Sequence, residues 1–220
     1  ENVFTDCSAT NSGGALFVAG FNNDISDSQH QNSYTVFVKS CNFTRCNTKI
    51  EGGAVCCGYQ YEDEENAELD DDITFIDCWF NQCESAKGGA LYLQNGTPTG
   101  DEETVITSCY FIDCFATNKE GYAVSTRSYS LLINYSFFQD HKRQLNEDNS
   151  KSSILYIEMD EEIAPILDSC TFENNSFVSA IALKAKCAVN ITNFVFNNYD
   201  DMIPCINIDL WDVTEKVILH

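Results

Sequence analysis

The sequence predicts an all-β fold: a parallel β-helix of about seven coils with three short strands in each, occupying residues 1–220 as one solenoid domain. Three observations carry that prediction. A text of Cys-x-Phe, followed about ten residues later by Gly-Gly-Ala and an apolar run, recurs along the chain. The run before each Cys places its apolar residues two apart, so both side chains share one face. No segment holds a 3.6-residue period.

The copies follow in order. Asn2-Val3-Phe4-Thr5-Asp6-Cys7 leads to Gly13-Gly14-Ala15-Leu16, and Cys41-Asn42-Phe43-Thr44-Arg45-Cys46 leads to Gly52-Gly53-Ala54-Val55. Cys78 to Cys83 precedes Gly88-Gly89-Ala90-Leu91, and Cys109 to Cys114 precedes Gly121-Tyr122-Ala123-Val124. The motif weakens at Ser136 to His141, returns at Cys170 to Asn175, thins through Phe194 to Ile208, and Val217-Ile218-Leu219 opens an eighth coil. The repeated phenylalanines (4, 43, 80, 111, 138, 172 and 194) lie 22 to 39 residues apart, and the variation falls in polar stretches. A fixed inner spacing with variable outer segments means stacked coils carrying loops at particular corners. The first strand of each coil is marked by Val36/Val38, Ile73/Phe75, Thr104/Ile106, Leu131/Ile133 and Pro165/Leu167, the second by Cys-x-Phe, and the third by the run after Gly-Gly-Ala. Stacking at about 4.8 Å turns each of these positions into a column of one residue type. The glycine pair suits a corner with positive φ or close backbone approach.

At Gly-Gly-Ala-(Leu/Val) (13–16, 52–55, 88–91) and Phe-x-x-Asn (Phe172 to Asn175, Phe194 to Asn197), the chain resembles the repeats of the chlamydial polymorphic outer-membrane proteins and related protist surface proteins. The resemblance runs from about residue 2 to 208 and implies a right-handed parallel β-helix passenger domain used in adhesion at a surface. Cys7, Cys46, Cys83 and Cys114 stand where the family has Asn, and no autotransporter barrel accompanies the repeats.

Composition narrows the function classes. The 34 acidic and 12 basic residues leave a charge of −22, which repels nucleic acid and anionic membrane, and no run approaches the ~18 apolar residues that span a bilayer. The chain opens at Glu1 in mid-repeat, as expected of a fragment of a longer protein. Sequons at Asn42, Asn95, Asn134, Asn174 and Asn190 are consistent with a secreted glycoprotein. The twelve cysteines lack zinc spacing. Two columns, Cys41/Cys78/Cys109 and Cys7/Cys46/Cys83/Cys114, come within disulfide reach at coil spacing, for instance as Cys7–Cys46 and Cys83–Cys114; the alternative is a stack of small buried hydrophobes.

The acidic runs (Glu62 to Glu65, Asp70 to Asp72, Asp101 to Glu103, Asp160 to Glu162) occupy equivalent places and are expected to gather on one corner, as solvated charge or as oxygen ligands for calcium. Acid pairs such as Asp71-Asp72 and Asp200-Asp201, the arginines Arg45, Arg127 and Arg143, and the histidines His30, His141 and His220 assemble no catalytic set. No catalytic, cofactor or metal residue is therefore assigned. Phe17, Tyr92 and Tyr156 form one column whose direction, outward as a binding ladder or inward as core, the sequence leaves open.

The leading expectation is a non-catalytic surface or secreted adhesin or interaction scaffold, with a protein or glycan partner on a cell surface and contacts to other solenoid segments. Loops 19–33, 58–72 and 142–151 are the expected contact sites. A polysaccharide-active lyase or hydrolase of pectate-lyase-like fold and an intracellular structural solenoid are the alternatives.

Overall fold

The computed structural model describes residues 2–18, 34–58, 71–94, 103–142, 152–159, 163–176, 178–198, 205–210 and 217–219. These residues form strands and turns without a helix, and the strands pair in parallel into four sheets. The fold is a parallel β-helix.

Three sheets have seven strands each. The lead face begins with Tyr34–Lys39 and Asp71–Ile76, the Phe face with Asn2–Thr5 and Cys41–Thr44, and the glycine face with Leu16–Val18 and Val55–Cys57. The fourth sheet corrects the expectation of three strands per coil. Ser8–Ala9, Asn47–Thr48, Glu84–Lys87 and Phe115–Glu120 pair between the Phe and glycine faces in the first four coils.

Inside, the predicted columns stack in register. Val38, Phe75, Ile106, Ile133, Leu167 and Ile191 line up on the lead face, and Phe4, Phe43, Phe80, Phe111, Phe138 and Phe172 on the Phe face. The phenylalanine rings lie nearly parallel, with successive centroids 4.8–5.0 Å apart. That distance is the strand spacing itself, so the sheet register imposes the ring stack. Phe196, rather than the expected Phe194, continues the column at 5.4 Å. Phe194 takes the inward corner place that Cys170 holds one coil earlier.

Two corners in each coil have positive φ at non-glycine residues, and Gly13, Gly52, Gly88 and Gly121 give a third in the first four coils. One column is Ser40, Asp77, Ser108, Tyr135, Ser169 and Asn193; the other is Asp6, Arg45, Gln82, Asp113, Asp140, Asn174 and Asn198. Seven of these thirteen are Asp or Asn, the side chains that best tolerate this region, so local chemistry supports the turn. Among the described residues, each of these corners is followed by a residue that points inward, usually Cys.

The inward thiols cap carbonyls that the corners expose. Cys41, Cys78, Cys109 and Cys170 each reach the carbonyl two residues back at 3.3–3.4 Å, and Ser136 does the same at 3.0 Å. In the second column Cys46, Cys83 and Cys114 reach the Phe carbonyl of the preceding coil at 3.6–3.7 Å. Asn175 replaces that weak contact with an Nδ2 hydrogen bond to the Phe138 carbonyl at 3.0 Å. Cysteine and asparagine are thus two solutions to one buried-acceptor problem.

All twelve cysteines are free thiols, so the staples expected at Cys7–Cys46 and Cys83–Cys114 are not formed. Burial pushes Cys170 up to about 12, and also Cys56, where Glu51 adds to the effect. Only Cys7 and Cys205 are more than slightly exposed. Alkylation of the native protein is expected to label those two thiols within minutes and the other ten only on unfolding, without reductant, as read by intact mass.

His141 occupies the same inward column as Asn175. Its backbone N–H donates to Asn175 Oδ1 at 2.9 Å, its Nδ1 lies 3.1 Å from the same oxygen, and Nε2 has no partner among the described residues. Full burial holds its pKa down at about 4, below the ordinary 6.5. The unfolded chain therefore protonates first as pH falls. The His141 contribution is intact above about pH 6.5 and declines between there and about pH 4, by roughly 3 kcal/mol in all. His141→Asn is expected to remove that part of the acid sensitivity, measured as urea stability at pH 7 and pH 4.5.

Candidate functional site

The outer surfaces are built by the same stacking. On the Phe face the residue between Cys and Phe points outward, and Asn42, Trp79, Tyr110, Phe137, Thr171 and Val195 form one column. Trp79 and Tyr110 stack at 4.4 Å and 17°, and Tyr110 meets Phe137 at 6.0 Å. Round the adjoining corner, Phe37, Thr74, Val105, Leu132 and Ile166 form the outward column of the lead face. Tyr135, 64% exposed, stands on the corner between them. Trp79 and Tyr110 are 45% and 38% exposed and, with Phe137 and Tyr135, make an aromatic strip along the Phe face and its corner; Ile166, 46% exposed, lies on the lead face beyond the outward column of Thr107, Asn134 and Asp168. At the strip's lower end Trp79 overlooks the smaller Asn42, opening a groove floored by Ser40 and Cys41 with Asp77 alongside.

The glycine face carries the column whose direction the sequence left open. Leu91 and Leu93 are buried, so Tyr92 between them faces out, as do Phe17 and Tyr156. Cys56 and Ser125 fill the intervening coils and are 2% and 4% exposed beneath their large neighbours. Charged columns flank this one. Glu51, Lys87 and Glu120 stack on one side, with Lys87 Nζ 3.1 Å from Glu120. Gln94, Arg127, Glu158, Lys184 and Asp209 stack on the other. The alternating signs let neighbouring coils attract along both edges. Glu51 is held above the ordinary carboxylate range by burial, partly offset by Lys87, and Tyr92 is raised by burial and Glu51.

Between Tyr92 and Tyr156 the single small residue Ser125 leaves a cleft of about 310 Å³, edged by Lys87, Glu120, Arg127 and Glu158. The sequence had drawn attention to the tyrosines but not to these edges. Their alignment depends on the register of strands separated by segments of unequal length. The outward strip was missed too, although its signal, the bulky residue between Cys and Phe, was in view.

The remaining sequence candidates stay apart. Arg45 is exposed and forms a two-pronged pair with Asp6 at 2.6 and 2.9 Å. Arg127 lies at the cleft, and His141 is in the lumen. His30, His220, Arg143, Asp200, Asp201 and sequon Asn95 lie outside the described residues, as do nearly all of the acidic runs and expected contact loops. Of those runs Asp71, Asp72 and Glu103 are described, and the Glu103 N–H donates to Asp72 Oδ1 at 3.2 Å. No group of three metal-ligating side chains occurs among the described residues. Asn42 lies on the outward Phe-face column and Asn190 on that of the lead face; Asn134 ends a lead-face strand and Asn174 sits at a positive-φ corner.

No family model, curated protein or solved structure matches this chain.

Proposed function

We propose that this chain is a non-catalytic β-helix of a cell surface or secreted protein, acting as an adhesin or interaction scaffold for a protein or glycan partner. The observation that carries this reading is the outward strip of Trp79, Tyr110, Phe137 and Tyr135. Contiguous exposed apolar surface of this kind costs solubility and is retained where a partner covers it. The charge of −22 keeps the rest of the surface soluble. The likeness of the repeats to those of surface passenger domains and the outward sequons, as glycosylation sites, support the same reading. One observation favours a second reading. Twelve free thiols suit a reducing compartment, and with it a structural solenoid inside the cell.

The experiment is to incubate the purified chain with a panel of insoluble and soluble polysaccharides, measuring retention of protein and release of new reducing or unsaturated ends. Retention without product is expected. Product release by the chain would replace the adhesin with an enzyme.

A further inference from the structure

We infer that the cleft between Tyr92 and Tyr156 is a binding site for one neutral sugar ring. The inference rests on the proposal above only in taking the chain to bind rather than to cleave. The cleft lies on a different face from the apolar strip.

The column spacing sets its width. Tyr92 and Tyr156 are two coils apart, so their backbones are separated by roughly 9–10 Å, twice the strand spacing of about 4.8 Å. A ring between them needs two contacts of about 3.5–4.0 Å. The vacancy is therefore that of one missing aromatic side chain at Ser125. The two tyrosines are held away from it. Tyr92 donates to Gln94 Oε1 of its own coil at 3.3 Å, and Glu51 of the coil before lies close enough to add to the effect of burial in raising its hydroxyl pKa. Tyr156 hydrogen-bonds Glu158 at 3.3 Å, and the Lys184 ammonium of the next coil sits 5.3 Å from its ring centroid.

The rim selects the class of ring. A pyranose has apolar C–H faces for two tyrosines and hydroxyls around its edge. Here that edge meets donors (Lys87, Arg127) and acceptors (Glu120, Glu158) from opposite sides. Two positive and two negative charges cancel, so the rim offers no net attraction to an ionic ligand, while a donor and an acceptor on each edge, Lys87 with Glu120 and Arg127 with Glu158, match a ring that carries hydroxyls around its edge. The cleft volume is at the lower end of ligand sites, about 300–1,000 Å³, which suits one ring and not an oligosaccharide.

The test is saturation-transfer NMR on the folded chain with methyl glycosides of glucose, galactose, mannose, N-acetylglucosamine and xylose, with methyl glucuronide and p-cresol as competitors. At least one neutral glycoside is expected to bind through its ring C–H protons. Ser125→Tyr, which inserts the missing ring, and Tyr156→Ala, which removes a wall, are each expected to weaken binding at least tenfold. Trp79→Ala is expected to leave it unchanged, so failure of the strip as a contact surface would not register here. Absence of binding by all five glycosides overturns the inference. So does tighter binding of glucuronide or p-cresol, or unaltered binding by Tyr156→Ala or by folded Ser125→Tyr.

Discussion

Phe111→Ala is expected to destabilise the chain by about 4 kcal/mol, the middle of the range for emptying a buried aromatic site, and to lower Tm by roughly 8–16 °C. Phe111 is fully buried and stacks on Phe80 at 4.9 Å and on Phe138 at 5.0 Å. The substitution therefore removes two ring contacts as well as apolar area. Rigid sheets on either side limit collapse into the void, because the strand above and the strand below remain hydrogen-bonded in register. Phe4→Ala, at the half-buried end of the same column with one stacked neighbour, is expected to cost clearly less. Equal losses at the two positions would mean that the stack is not a source of stability. Urea unfolding followed by circular dichroism distinguishes the cases.

Gly89→Ala is the second large effect, at about 3 kcal/mol, the upper end for overpacking, with a Tm decrease of roughly 6–12 °C. A β-carbon at Gly89 would lie 2.1 Å from the Tyr122 carbonyl oxygen and 2.6–2.7 Å from the backbone of Phe115. Both obstacles are main chain of the next coil, fixed by the short sheet, so neither can move aside cheaply. Gly53 meets Gly89 and Glu84 in the same way. Tyr122 takes the equivalent place in the fourth coil, where its large side chain is buried. Gly58→Ala is the control, since its nearest neighbour is the Gln94 side chain at 3.1 Å. It is expected to be tolerated far better.

These two positions also indicate what the sequence disclosed. The Phe column was legible because one ring recurs in every coil, about ten residues before the second glycine in the first three. It slipped only in the seventh coil, where Phe194 and Phe196 both offer themselves and the pairing with Phe172 decides. The glycine pair announced a close backbone approach, but the strand that the second glycine approaches was not legible. It belongs to a sheet whose strands are as short as Ser8–Ala9 and Asn47–Thr48, too brief and too polar to register as a period. The corners left a trace, Asp, Asn or Ser before the inward Cys, which becomes interpretable once thirteen positive φ values fall into two columns. For the cysteines, proximity in a column suggested staples. The column equally suits thiols that cap buried carbonyls, and that is the arrangement observed. The surface sites were the least legible part, since the cleft and the aromatic strip each depend on several coils being in register.

The central functional claim is that the outward aromatic strip is the contact surface. Its most direct test is the binding of the wild-type chain and of a Trp79→Ser, Tyr110→Ser double variant to an array of glycans and extracellular-matrix proteins. Both residues are exposed and outside the lumen, so the variant is expected to keep its fold. The expected result is wild-type binding to a subset of the array that falls at least tenfold in the double variant. Binding undiminished by the two substitutions would contradict the claim.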